Sequence, residues 1–401
     1  MRTDEGRRGL DPAQRLVFAT VTDDDEGFAH ELGRGPDPGN LIAAAEAERA
    51  TPVLARRLRS LRSGGVEPGL PAEALAHLDR LAMVHEFRLR ELDDRLAETL
   101  ARFGQEGIRV VLLKGAAFTR GLGVAPTDRP MGDVDLLVAP EDAARAWELA
   151  RESGWQRQAD LPPLEAYEEH HHLPPMGDEA GLRLGLELHT ELFQDENPFT
   201  LSGASLESGL RPVEGHPGVF IPSAPDLLLH AATHLVWSHV LRFGAWKTLR
   251  DVHLLLASGA LDPEAVSGRA REGGAASCLF WTLELARAWG GVPVDERWFE
   301  LLDPGLAPRQ VARLRRHFAL SLAREERPGT VALGRRFWEE AVDPEGQGHG
   351  AVRPWTGSER WIPEEGLPGG GGAEVPSSGR GPRLLRGWGA IRHLARVLTA
   401  R

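Results

Sequence analysis

The chain has 401 residues, a formal charge of −12 and a pI near 5.7. That balance argues against extended nucleic-acid binding, which needs a basic domain or stripe, and 41% hydrophobic with 26% charged residues is a globular composition. One cysteine, Cys278, excludes an intrachain disulfide and points to a reducing compartment.

The opening MRTDEGRRGLDPAQ lacks the apolar segment of a signal peptide, and no run approaches the ~18 apolar residues of a membrane span. A cytoplasmic protein is expected. Of 47 basic residues only Lys114 and Lys247 are lysines, and both fall in segments that other arguments select.

Residues 1–38 carry the acidic run Asp23–Glu26 and the breakers GRGPDPG, and read as a disordered arm. A helical N-terminal region is expected over 39–104. Thr51 and Pro52 read there as an N-cap and first-turn proline, and Pro71 opens a long amphipathic helix that Gly104 closes. The period then changes. IRVVLL at 108–113 is a continuous apolar run that suits a buried strand, and KGAAF begins a short helix. The loop GVAPTDRPMG leads to a second strand, DVDLLV, and a helix from Pro140 to Gly154. In LRLGLELH, leucines at 182, 184, 186 and 188 alternate with other residues, which is the period of a half-buried strand. Residues 105–222 therefore form the expected core. A helical C-terminal domain follows at 223–342, a Gly- and Pro-rich linker at 343–383, and a basic amphipathic helix at 384–401. The fold class expected is α+β: a small mixed sheet flanked by helical segments.

The chemistry centres on Asp133 and Asp135. Residues two apart in a strand point to one side, while Val134 and Leu136 anchor the other. Two adjacent carboxylates repel unless a cation offsets them. Mg²⁺ commonly binds one or two carboxylates plus substrate phosphates. Glu187, on the polar side of the leucine-alternating strand together with His189, offers a third carboxylate. Three such groups suit metal-assisted displacement at phosphorus. Lys114 and Gly115 sit where a strand gives way to a helix, a position that suits phosphate oxygens. Arg129 offers a forked donor to a phosphate.

Together LKGAAF, RPMGDVDLLV and LELH resemble the uncharacterised nucleotidyltransferase family of the polymerase-β superfamily, and are similar to the AbiEii-type nucleotidyltransferases. The motif-bearing part covers about residues 108–191. The resemblance implies a mixed sheet, Mg²⁺ or Mn²⁺, and an NTP such as ATP as substrate. It makes Asp133, Asp135 and Glu187 the catalytic metal ligands. Lys114, Gly115, Arg129 and Lys247 become the nucleotide-binding residues, Lys247 through likeness to a late-helix lysine of the AbiEii-type enzymes. The superfamily's usual Gly-Ser is Lys114-Gly115 here. The acceptor is a small molecule, a peptide or a protein. Two other readings remain open: a catalytically degenerate binding module of the same fold, and a D-x-D glycosyltransferase.

Three weaker patterns accompany these. His230 and His234 share a helix face but lack the glutamate of H-E-x-x-H, so they are read as structural. Lys247 and Asp251, four apart, read equally as a surface ion pair. His170, His171 and His172 read as exposed or as lining a cleft.

Overall fold

The computed structural model describes residues 2–157, 161, 164–167, 170–194, 197–322 and 331–343, together with Val397. The expected linker beyond Asp343 and the basic helix, apart from Val397, lie outside the described residues.

Seven strands form one sheet: β1 (Val110–Leu112), β2 (Asp133–Val138), β3 (Trp155–Arg157), β4 (Met176–Asp178), β5 (Gly185–His189), β6 (Arg211–Pro212) and β7 (Val219–Ile221). Their spatial order is β3-β4-β5-β2-β1-β7-β6. The sheet is mixed. β2 runs antiparallel to β1 but parallel to β5, and β1 runs parallel to β7. The expected α+β class is the one observed. The centre of the sheet is the pair β2–β5, where Val134 and Leu136 face Leu186 and Leu188 in register, all four buried. That apolar side fixes the register, because a one-residue slip would turn every leucine outward.

The expected disordered arm at 1–38 is corrected. Helices occupy Arg2–Gly6, Pro12–Phe18 and Asp25–Leu32, and Leu16, Val17, Phe18 and Phe28 are fully buried. The residues that resembled loop are helix punctuation. Asp11 forms a capping box with Gln14, Asp24 caps the third helix through the Gly27 N–H, and Asp37 caps the helix Pro38–Ala47. The acidic run is not merely solvated, since Arg57 and Arg250 reach Asp23 and Arg57 reaches Asp25. These helices dock on the C-terminal helical part. Phe18 packs on Trp289 with ring centroids 5.4 Å apart, and the Arg7 Nε donates to the Trp289 carbonyl at 2.8 Å.

A smaller correction concerns Thr51. It is the first residue of the helix Thr51–Ser63, and its hydroxyl donates to Glu46 rather than capping. The long helix Ala72–Gln105 follows Pro71, and the leucines at 78, 89, 92, 96 and 100 are its buried stripe. Beyond the sheet, helices at Ala224–Thr233, Ala245–Ala257, Pro263–Glu272 and Ala276–Leu285 lead to Val331–Val342. None of the described helices is long and apolar enough to cross a membrane.

Candidate functional site

The site forms where β2 and β5 run side by side. Asp135 lies opposite Glu187 and Asp133 opposite Gly185. Asp133 and Asp135 therefore share a face, and the glycine leaves room beside the first. A Cβ on residue 185 would stand only 3.1 Å from the Asp133 Cβ. His189 is two residues beyond Glu187 on the same side, and its Nε2 is 3.1 Å from Asp135 Oδ1 and 3.5 Å from Glu187 Oε2. One ligand atom from each of Asp135, Glu187 and His189 lies within 4.8 Å of the other two. That donor set fits a divalent cation. Asp133 stands outside this tight group, half-buried at the start of β2.

Lys114 approaches from the end of β1. Its Nζ donates to Asp135 Oδ1 at 2.7 Å. Its φ of +44° is unusual for a side-chain-bearing residue and costs about 1 kcal/mol. The turn is held because the preceding Leu113 N–H donates to the Asp135 carbonyl at 3.0 Å, tying it to β2. Burial works against the Lys114 charge, but the carboxylates of Asp135, Glu187 and Asp133 outweigh it and hold the amine charged. Burial likewise raises the Asp135 carboxyl, yet Lys114 and His189 bring it far below the ordinary range. For Asp133 burial is again the largest influence. Lys247, Arg49 and Lys114 overcome it, together with repulsion from Asp135, and lower the carboxyl.

Gly115 has a packing role. A Cβ there would lie 3.0 Å from the Met131 sulfur and 3.3 Å from Arg129 Nη1, so the glycine admits the Arg129–Met131 loop. Arg129 departs from its expected phosphate contact. Its fork is spent on Asp251, with Nε to Oδ1 at 2.5 Å and Nη2 to Oδ2 at 2.8 Å, both side chains about 95% buried. The remaining Nη1 donates to the Pro130 carbonyl at 3.1 Å. Asp251 thus pairs with Arg129, 122 positions away. Asp251 is only 3% exposed, so it is not half of a surface pair.

Lys247 instead lines a small cavity with Lys114, Arg129, His230, His234 and His239. At about 40 Å³ it holds little more than a water. Lys247 is positioned from the N-terminal helices. The helix Ala245–Ala257 starts after Gly244, whose φ is +65°, and the Glu48 carboxylate accepts from the Trp246 N–H at 2.9 Å. The indole of Trp246 donates to Thr20 at 2.9 Å. Burial lifts the Glu48 carboxyl to about 7, against the Trp246 hydrogen bond and Lys247.

Three histidines from the helical side complete the wall. Burial and nearby lysines lower His230 to about 3 and His239 to about 4, and put His234 well below its ordinary value. The rings of His230 and His234 stand 6.1 Å apart and neither belongs to the Asp135–Glu187–His189 group. Both His234 and Phe118 lie in short π-helical turns, at His234–Ser238 and Ala117–Gly121. Such turns often mark functional positions. His171 and His172 stand beside the site, each ring centroid 5.7 Å from that of His189.

Sequence reasoning did not select His189, Arg49 or Glu48. For His189 the signal was its parity with Glu187. For Arg49 and Glu48 there was none, because nothing local connects the N-terminal helices to Asp133.

The chain belongs to the uncharacterised nucleotidyltransferase family, whose model matches residues 34–291. No curated protein and no solved structure matches it. Membership carries nucleotidyl transfer as the reaction class and implies an NTP as substrate.

Proposed function

We propose that this family member is a metal-dependent nucleotidyltransferase. It moves an NMP from an NTP to a hydroxyl or phosphate oxygen of a small molecule, peptide or protein, in a cytoplasmic setting where NTPs are abundant. The observation that carries the reading is the convergence of Asp135 and Glu187 on adjacent parallel strands, with Asp133 on the same face and Lys114 2.7 Å from Asp135.

The acceptor oxygen attacks the α-phosphorus, the bond from that phosphorus to the bridging oxygen breaks, pyrophosphate leaves, and the acceptor proton passes to solvent. Asp133, Asp135 and Glu187 would hold a divalent ion, Mg²⁺ or Mn²⁺, which would supply charge neutralisation for the displacement. Lys114 and Lys247, on two walls of one cavity, place positive charge where the β- and γ-phosphates lie. Gly115 keeps the strand-to-helix turn compact so that Lys114 reaches inward. Arg129 is a positioning residue that ties this turn to the helix carrying Lys247. The family match favours nucleotidyl over glycosyl transfer.

A second reading, a nucleotide-binding module without turnover, has one observation in its favour. The Lys114 ammonium already neutralises Asp135, as a metal would. Incubation with each α-³²P-labelled NTP, Mg²⁺ or Mn²⁺ and host lysate separates the two. Label transferred to a discrete acceptor and abolished in Asp133→Asn/Asp135→Asn supports the enzyme. Saturable NTP binding with no transfer from any of the four nucleotides supports the module.

A further inference from the structure

We infer that His189 is a direct ligand of the metal in this site, and that the site therefore selects a first-row transition ion over Mg²⁺. The inference rests on the metal-dependent reading above and deepens it by naming the ion class and an additional ligand.

Strand parity puts His189 beside the carboxylates. Leu186 and Leu188 point into the core, so Glu187 and His189 both leave the sheet on the side of Asp135. His189 is not on a solvated surface, being only 4% exposed. Its Nε2 is 3.1 Å from Asp135 Oδ1 and 3.5 Å from Glu187 Oε2. Two ligand atoms bound at about 2.1 Å to one ion, at right angles, stand roughly 3 Å apart. The spacing around Nε2 is that of a shared coordination sphere before the ligands close on the ion.

The rest of the ring agrees. The Nδ1 of His189 is buried and has no hydrogen-bond partner among the described residues. Nε2, directed at the two carboxylates, is the ring atom that is engaged. Coordination through Nε2 puts the hydrogen on Nδ1, where a donor needs an acceptor. No described group supplies one, although the rings of His171 and His172 each stand 5.7 Å from that of His189.

The chemistry then decides the ion. Mg²⁺ prefers oxygen ligands in a near-ideal octahedron, whereas imidazole nitrogen suits transition ions. A centre that adds an imidazole to its carboxylate oxygens shifts selectivity away from Mg²⁺. Purely acidic versions of such a site lack that bias.

The test uses the full-length protein and Mn²⁺ as the probe. Mn²⁺ is titrated by EPR with and without competing Mg²⁺, and the bound ion is examined by electron spin-echo envelope modulation. The expected result is ¹⁴N modulation from an imidazole in the wild type, lost in His189→Asn and His189→Gln. Mn²⁺ affinity should fall about 10-fold or more in these variants, while Mg²⁺ affinity changes far less. Circular dichroism establishes that a variant is folded, and the wild-type spectrum stands without either variant. Bound Mn²⁺ with no ¹⁴N modulation, or an unchanged Mn²⁺-to-Mg²⁺ ratio in a folded variant, overturns the His189 assignment and leaves the metal-dependent reading intact. No divalent binding at all, with or without NTP, overturns both.

Discussion

The Lys114 ammonium donates to Asp135 Oδ1 at 2.7 Å, on the oxygen that His189 Nε2 also approaches at 3.1 Å. One carboxylate oxygen thus serves a lysine and a histidine in the same structure that would serve a metal. Lys114 is therefore the site's internal counter-ion and would compete with a metal for the same oxygen. In Lys114→Met, divalent affinity without nucleotide should rise, by about 10-fold if ~1.4 kcal/mol of competition is relieved. NTP use should fall through a higher KM. Calorimetric titration with Mn²⁺ and steady-state kinetics read the two effects separately. A fall in both sinks the competition argument.

Replacing either aspartate of β2 keeps side-chain size and removes the charge that would hold the ion. Turnover in Asp133→Asn or Asp135→Asn should drop by about 10³-fold or more, roughly 4 kcal/mol of transition-state stabilisation. The two should differ in stability. Asp135 is bonded to Lys114 and 4% exposed, so the change to Asn leaves a buried cation without its counter-charge and costs about 1–3 kcal/mol. Asp133 is half-buried and should cost less. Thermal melts of both variants check the order.

Arg129 and Asp251 form a bidentate pair with both side chains about 95% buried. Breaking such a pair from one side costs about 3–5 kcal/mol, because the other charge is left buried. Arg129→Met and Asp251→Asn should each lower the urea midpoint strongly, and the double variant should lose less than the sum. An Arg129 variant with wild-type stability and a raised KM for NTP would restore the phosphate role.

Glu48 gives a pH signature. Burial raises its carboxyl from 4.5 to about 7, so the folded state holds the proton more tightly than the unfolded chain does. Its contribution is fully present below about pH 4.5 and is lost as pH rises towards 7, by roughly 3 kcal/mol over the window. Glu48→Gln keeps an acceptor for the Trp246 N–H and removes the titration. The difference in unfolding free energy between wild type and this variant should therefore shift in favour of the variant across pH 4.5–7 and level off above it. A pH-independent difference would refute the assignment.

Some of this architecture was legible in the sequence for a simple reason. The leucines of LELH and the residues around Asp133 and Asp135 have period two, and parity alone puts Asp133 with Asp135 and Glu187 with His189. Which strand lies beside which was not legible, and only the register of β2 on β5 brings Asp135 opposite Glu187. The Arg129–Asp251 pair spans 122 positions and leaves no local trace. The first helices read as an arm because Asp11, Asp24, Asp37 and the prolines after the first and last of them are the residues of loops and of helix starts alike. What separates the two uses is the buried face that follows, and in helices of 7 and 8 residues that face is too short to stand out.

The Glu48–Trp246 bond, with Arg49 beside Asp133 and Trp246 bonded to Thr20, ties the two ends of the matched region together. The candidate site is therefore not a cassette with removable ornaments. The strand-bearing segment Val110–Ile221 carries the carboxylates but neither Arg49 nor Lys247, so cutting it out would leave two acidic strands stripped of cations from both flanks. Transplanting the activity into another scaffold means moving the helices at both ends with it.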